Sequence, residues 1–237
     1  MKYITFTFCL LFGTGLIGQG FYIDAGVKAQ YGGTSLINSA ILDRTDWTYD
    51  IATGYSFGGK LGFNFEDHGI TVDAMFGKYS ASFESNNGAD NTFTDWQFTD
   101  IYLLYRLSRF RGYFEVGPKV SFIKDVENTY PDGTIENTTE FYNDNAFSGV
   151  LGFGTYIIGS DGSFSGIFGL RFEYGLSDML DESLGAENGY PINQPDLYTA
   201  GYETTHNFFA GLVFELNWGI GYYGKASCGA RGKFIFL

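Results

Sequence analysis

Apolar residues alternate with small or polar ones along most of this chain, and that period of two constrains its fold more than any other feature. Successive side chains of a strand point to opposite faces, so the pattern describes strands with one apolar face and one polar face. Residues 49–66 show it best. One face reads Tyr55, Phe57, Gly59, Leu61, Phe63, Phe65, and the other Gly54, Ser56, Gly58, Lys60, Gly62, Asn64. The same alternation recurs over 21–32, 70–83, 94–107, 112–123, 146–158, 164–177 and 205–217, which makes eight strands. It slips near Lys78, where a bulge is expected.

The connections between these segments alternate in length. Those at 66–69, 108–111 and 159–163 are short, and those near 33–48, 84–93, 124–145 and 178–204 are long. An up-and-down antiparallel barrel sorts its connections this way. All short turns lie at one end and all long loops at the other, as in transmembrane barrels with short periplasmic turns and long extracellular loops. A soluble barrel of the lipocalin type would point the Phe and Leu face inward, and eight strands enclose too little space for so many aromatics beside a ligand. The expected fold is therefore all-β, an eight-stranded up-and-down antiparallel transmembrane β-barrel.

Charge placement agrees with this reading. The chain carries a formal −13, which argues against nucleic acid as a partner because that needs a basic face. Two loops hold most of it. Residues 178–204 contain Asp178, Asp181, Glu182, Glu187, Asp196 and Glu203 with no Lys or Arg, and 124–144 contain six acids against Lys124. The strand-borne charges nearly cancel, with Lys28, Lys60, Arg106, Lys119 and Arg171 against Asp24, Asp73, Asp100, Glu115, Glu173 and Glu215. All lie on the Gly-rich face. Balanced charges among small residues suit the filled interior of a narrow barrel, where each charge needs a partner.

The first segment reads as a targeting signal. Lys2 precedes an apolar stretch from Tyr3 to Ile17, and Gly18-Gln19-Gly20 offers a small-x-small cleavage site, so residues 1–20 are expected to be a signal peptide. The apolar run is short for a transmembrane helix and is broken by Gly13, Gly15 and Gly18. Cys9 lies too early to be a lipoprotein cysteine, and removal of the segment leaves Cys228 with no partner for a disulfide. The barrel domain is expected over 21–217. Residues 218–237 then form a Gly-rich basic tail or an extra strand, in which Phe234 or Phe236 would supply a terminal aromatic.

Two segments, Tyr113–Phe122 (YFEVGPKVSF) and Gly169–Leu180 (GLRFEYGLSDML), resemble the outer-membrane β-barrel family common in Bacteroidota, the PorT-like group. The resemblance spans about residues 21–217 and implies the barrel fold and the outer membrane as its location. The founding member's link to protein secretion is not carried over, because the matching motifs mark strand ends and turns rather than chemistry.

Reactive residues are few. His68 follows Asp67 in a short turn, and His206 opens the last strand among Thr204, Thr205 and Asn207, without a Ser at the spacing a lipid A deacylase needs. Two His and one mature Cys cannot make a zinc cluster, and the acidic loops lack EF-hand spacing. Asn137-Thr138-Thr139 matches a glycosylation pattern that means little in a bacterial protein. The glycines of 54–62 lie mid-strand with no helix after them, so they form no phosphate loop; they make room inside a narrow barrel. No catalytic, cofactor or metal residue is expected. The expected protein is a non-enzymatic outer-membrane barrel for surface recognition, adhesion or envelope structure. Its partners would be outer-membrane lipid and lipopolysaccharide around the wall, with an extracellular ligand or protein at the acidic loops. The alternatives are a rim-active lipid A-modifying enzyme, a narrow pore and a soluble periplasmic ligand-binding barrel.

Overall fold

The computed structural model describes residues 21–44, 46–85, 91–159, 164–194 and 196–220. The signal-peptide segment, Cys228, Phe234 and Phe236 lie outside the described residues, as do residues 86–90 of the loop at 84–93 and residues 160–163 of the turn at 159–163.

Eight long strands form the wall: β1 (Phe21–Asn38), β2 (Ala52–Phe65), β3 (His68–Ser85), β4 (Thr92–Arg109), β5 (Gly112–Thr129), β6 (Asn145–Ile158), β7 (Phe164–Gly175) and β8 (Thr205–Ile220). Each pairs antiparallel with the next, and β1 pairs antiparallel with β8 from Ile23↔Ile220 to Asn38↔Thr205. The sheet therefore closes on itself. Closure removes the unpaired edges and satisfies the strand backbone internally, as a structure crossing hydrocarbon must do. Two short strands add to the long-loop end: Trp47–Asp50 pairs with β3, and Ile135–Asn137 with β5.

The facing follows the alternation. Phe57 is 60% exposed and Leu61 41%, while Lys60 between them is 5% exposed. From Tyr55 to Phe65 an apolar band runs down β2; at about 3.3 Å per residue and a tilt of about 40°, it stands about 25 Å tall, the height of a transmembrane barrel's lipid-facing belt.

Several strands are longer than their alternation indicates. β1 runs to Asn38 rather than 32, β5 to Thr129 rather than 123, and β8 to Ile220, three residues into the segment read as a tail. The β1–β8 and β4–β5 ladders carry these ends beyond the belt, Phe93 pairing with Thr129. The irregularity expected near Lys78 falls on one side only: β3 keeps unbroken register with β4 from His68 to Phe83, but its ladder with β2 ends at Tyr55↔Lys78 and pairing resumes at Asp50↔Ser82 shifted by one residue. What also changes at that level is chemistry: the next inward residues, Tyr79, Ala81 and Phe83, are apolar where Thr71 and Asp73 below were polar. The β4–β5 irregularity lies in β5, where Gln97 pairs with Asp125 and Phe98 with Ile123, leaving Lys124 as the extra residue.

The interior accordingly has two storeys. The lower one, inside the belt, is mainly polar, with a small apolar cluster of Met75, Leu104 and Val150. The upper one, at the long-loop end, is a core of Leu36, Tyr79, Phe83, Trp96, Phe98, Val126 and Phe209. Tyr79 is its centre, with ring centroids 4.3 Å from Phe98 and 5.2 Å from Phe209.

Candidate functional site

The lower storey contains the charges expected inside, and every one of those cations bridges two carboxylates. Lys28 contacts Asp73 at 2.5 Å and Glu215 at 3.2 Å, and Lys60 contacts Asp24 at 3.0 Å and Glu215 at 2.7 Å. Arg106 reaches Glu115 and Glu215, both at 2.7 Å, and Arg171 reaches Glu115 at 2.5 Å and Asp73 at 3.3 Å. These contacts close a circuit: Glu215, Lys28, Asp73, Arg171, Glu115, Arg106 and back to Glu215. A second group joins Lys119 to Asp100 at 3.1 Å and to Glu173 at 2.6 Å. Gln30 couples the two groups, accepting from Arg171 at 3.2 Å and donating to Glu173 at 3.4 Å. Glycine leaves the space this needs. A Cβ on Gly62 would lie 1.8 Å from Asp24 Oδ1, and one on Gly152 2.7 Å from Glu115 Cγ.

The upper storey is closed by the loop between β7 and β8. Met179, Leu180, Tyr190, Ile192 and Leu197 of this acidic loop are buried in the upper core. Ile41, from the short helix Ser39–Leu42, packs there too. The loop is a folded lid rather than a solvated excursion. Its five buried apolar residues point into the mouth, while Leu184, Glu182, Glu187, Asp196 and Glu203 remain exposed.

Two polar hubs hold the lid. The two N–H groups of Asn38 Nδ2 are shared among three oxygens, the Glu203 carbonyl at 2.9 Å, the Tyr198 hydroxyl at 3.0 Å and Thr205 Oγ1 at 2.7 Å. The Tyr49 hydroxyl accepts from the Asn38 amide and donates to its carbonyl, and burial pushes that phenol up to about 12, so it stays a donor. The second hub is Asp178, which accepts from the Thr205 and Leu180 amides and from the Tyr202 hydroxyl. Burial, with the Asp178 carboxylate beside it, pushes the Tyr202 phenol well up. Asn143 Nδ2 donates to the carbonyls of Asp178 and Leu180. Asn38→Ala removes both N–H donors from these three oxygens and is expected to open the lid without unfolding the wall, at about 1–3 kcal/mol for the groups left unpaired. Limited proteolysis should then cut within 178–204 faster than in wild type, with heat-modifiable gel mobility retained. Equal cleavage rates would mean that Asn38 does not hold the lid.

The histidines are not brought together. His68 lies at the short-turn end, hydrogen-bonded to the Tyr105 hydroxyl. His206 is at the opposite rim, with Nε2 2.9 Å from Thr204 Oγ1 and its ring stacked on Tyr174. Among the described residues no group of three or more His, Cys, Asp or Glu is arranged to hold a metal ion.

No family model matches the chain, and no curated protein matches it. Among solved structures it is similar to Ail, the attachment invasion locus protein of Yersinia pestis, crystallised with the heparin analogue sucrose octasulfate (12% identity over 81% of this chain and 98% of that one, TM-score 0.36). It is also similar to Neisserial surface protein A (11%, 83% and 96%, TM-score 0.37) and to the outer membrane protease OmpT of Escherichia coli (10%, 84% and 97%, TM-score 0.34). These likenesses bear on no individual residue. The closed ring, the apolar wall and the filled interior of this chain are by themselves the architecture of an outer-membrane β-barrel.

Proposed function

We propose that this barrel is a non-enzymatic, non-conducting surface protein whose folded lid presents an acidic recognition face to the medium. The observation that supports this reading most is the sorting of the β7–β8 loop, with five apolar residues in the mouth and four carboxylates, Glu182, Glu187, Asp196 and Glu203, outside. An ion path would have to cross both the lid core and the ion-pair circuit beneath it. Planar-bilayer recordings should therefore show no single-channel current from wild type, and a steady current would overturn the closed reading.

The outward face is acidic, so its complement is a basic partner. A polyanion such as the sulfated sugar bound to Ail would be repelled by it. Cells displaying the barrel are expected to adhere to polylysine-coated beads more than to heparin-coated ones. Replacing Asp181, Glu182 and Glu187 by their amides should weaken that adhesion. Preference for heparin, or indifference to the substitutions, would count against recognition through the lid.

An enzyme at the rim is the second reading. His206 is the residue it would use, and its described neighbours, Thr204 and Tyr174, include no carboxylate that would orient it as a base. A lipid A mobility shift that depends on His206 would favour that reading. We also propose membership of the PorT-like group. The two resembling segments carry Glu115, Lys119, Arg171 and Glu173 of the interior and Asp178 of the lid, so the likeness falls on residues that build this barrel. Lipopolysaccharide around the wall belongs to the same proposal, which rests on the lipid-facing belt.

A further inference from the structure

The outer wall carries one feature that neither the lid nor the interior network uses. At the long-loop edge of the apolar belt, Lys78 of β3 is paired across the ladder with Gln97 of β4, and Gln97 with Asp125 of β5. The β5 bulge places Lys124 beside them. Tyr55, Phe57, Phe76, Lys78, Gln97 and Lys124 line a groove of about 290 Å³, with Phe57 and Phe76 on its membrane side.

The two lysines are placed unlike the other cations of the wall strands. Lys28, Lys60, Arg106, Lys119 and Arg171 face the interior, and Arg109 ends β4 at the short-turn side. Lys124 is exposed, its ammonium 5.5 Å from the centre of the Phe76 ring. The Lys78 ammonium lies 2.9 Å from Asp95, and its side chain is 35% exposed.

We propose that this groove seats one membrane lipid through a phosphomonoester headgroup, with Lys78 and Lys124 on the phosphate and an acyl chain against Phe57 and Phe76. Cations at the edge of the hydrocarbon, above an aromatic floor, match an amphiphile whose charge and chain meet at that depth. An ammonium has three donors, and Asp95 takes one of those on Lys78. The surrounding carboxylates have donors of their own. Asp95 also accepts from Ser80 at 2.5 Å, and Asp125 accepts from Asn137 at 2.6 Å and from Thr139 at 3.4 Å. Glu127 is also near Lys78, and this acidic surround limits the groove to a single phosphate rather than a polyanion.

The inference rests on the barrel lying in a bilayer, which membrane fractionation and heat-modifiable mobility test separately. The direct test is native mass spectrometry of the detergent-purified barrel, incubated with dimyristoyl phosphatidic acid or dimyristoyl phosphatidylcholine. Wild type should retain one phosphatidic acid with an occupancy at least about tenfold above the choline lipid. Lys78→Gln with Lys124→Gln should abolish that preference. Arg109→Gln with Arg111→Gln, the same change of charge at the other end, should keep it. Excess inorganic phosphate should not displace the lipid, because the acyl chain contributes to binding. Preference that survives in the lysine pair, is lost equally in the arginine pair, or yields to inorganic phosphate would overturn the proposal.

Discussion

Arg171→Ala is expected to cost about 3–5 kcal/mol of barrel stability, among the largest losses available to a single substitution here. Arg171 is fully buried and lies between Glu115 and Asp73, themselves fully buried. Removing it leaves each carboxylate with one remaining cation, Arg106 for Glu115 and Lys28 for Asp73. It also removes the donor to Gln30, and so the tie to the Lys119 group. The lost interaction and the residual buried negative charge act in the same direction, since a carboxylate stripped of its partner keeps its desolvation penalty. Glu115→Gln in the same chain removes the one excess negative charge and should recover part of the loss. Unfolding free energy in detergent or lipid, followed by heat-modifiable mobility, reads both effects. A loss below about 1 kcal/mol for Arg171→Ala, the range of an exposed pair, would show that the circuit is hydrated rather than dry.

Leu170→Arg comes next in size, at about 2–4 kcal/mol, because it places a charge on the lipid face near mid-belt. Leu170 is outward, 38% exposed, and pairs with Leu212 on one side and Phe153 on the other. Leu170→Ala should cost clearly less than its arginine counterpart, since lipid fills the space. Leu104 is the control. It is fully buried on the opposite face of its strand, beside Met75, Tyr102 and Val150, and truncation to Ala there leaves a cavity costing about 2–5 kcal/mol. Equal costs for Leu170→Ala and Leu104→Ala would remove the distinction between wall and core and favour a soluble barrel.

The facing of the strands was legible because a period of two carries it directly. Lys60 among Gly58, Gly62 and Asn64 could only be interior once Phe57 and Leu61 were wall. The partners were not legible. Glu215 on β8 meets Lys28 on β1, Lys60 on β2 and Arg106 on β4, and only the stagger of strands around a closed ring brings those three together. The upper storey was missed for another reason. Tyr79, Trp96, Phe98 and Phe209 lie on the face that is polar lower down, so near Lys78 a change of chemistry coincides with the end of the β2–β3 ladder and hides behind it. The lid had a signal that its net charge obscured: Met179, Leu180, Tyr190, Ile192 and Leu197 are too apolar for a loop lying in water.

The ladder between β1 and β8 has a consequence for how the molecule can be made. It joins the two wall segments furthest apart in the chain, Ile23 to Ile220 at its lower end. Neighbouring hairpins can zip locally, but this seam must close a loop of nearly the whole domain, which makes it the slow event of assembly. Until it closes, an otherwise complete sheet presents two raw edges and a half-wetted charge circuit, since Glu215 arrives only with β8. The last strand therefore supplies both the zipper and the keystone carboxylate, and a chain halted before β8 would be a sticky curved sheet with three cations waiting for it.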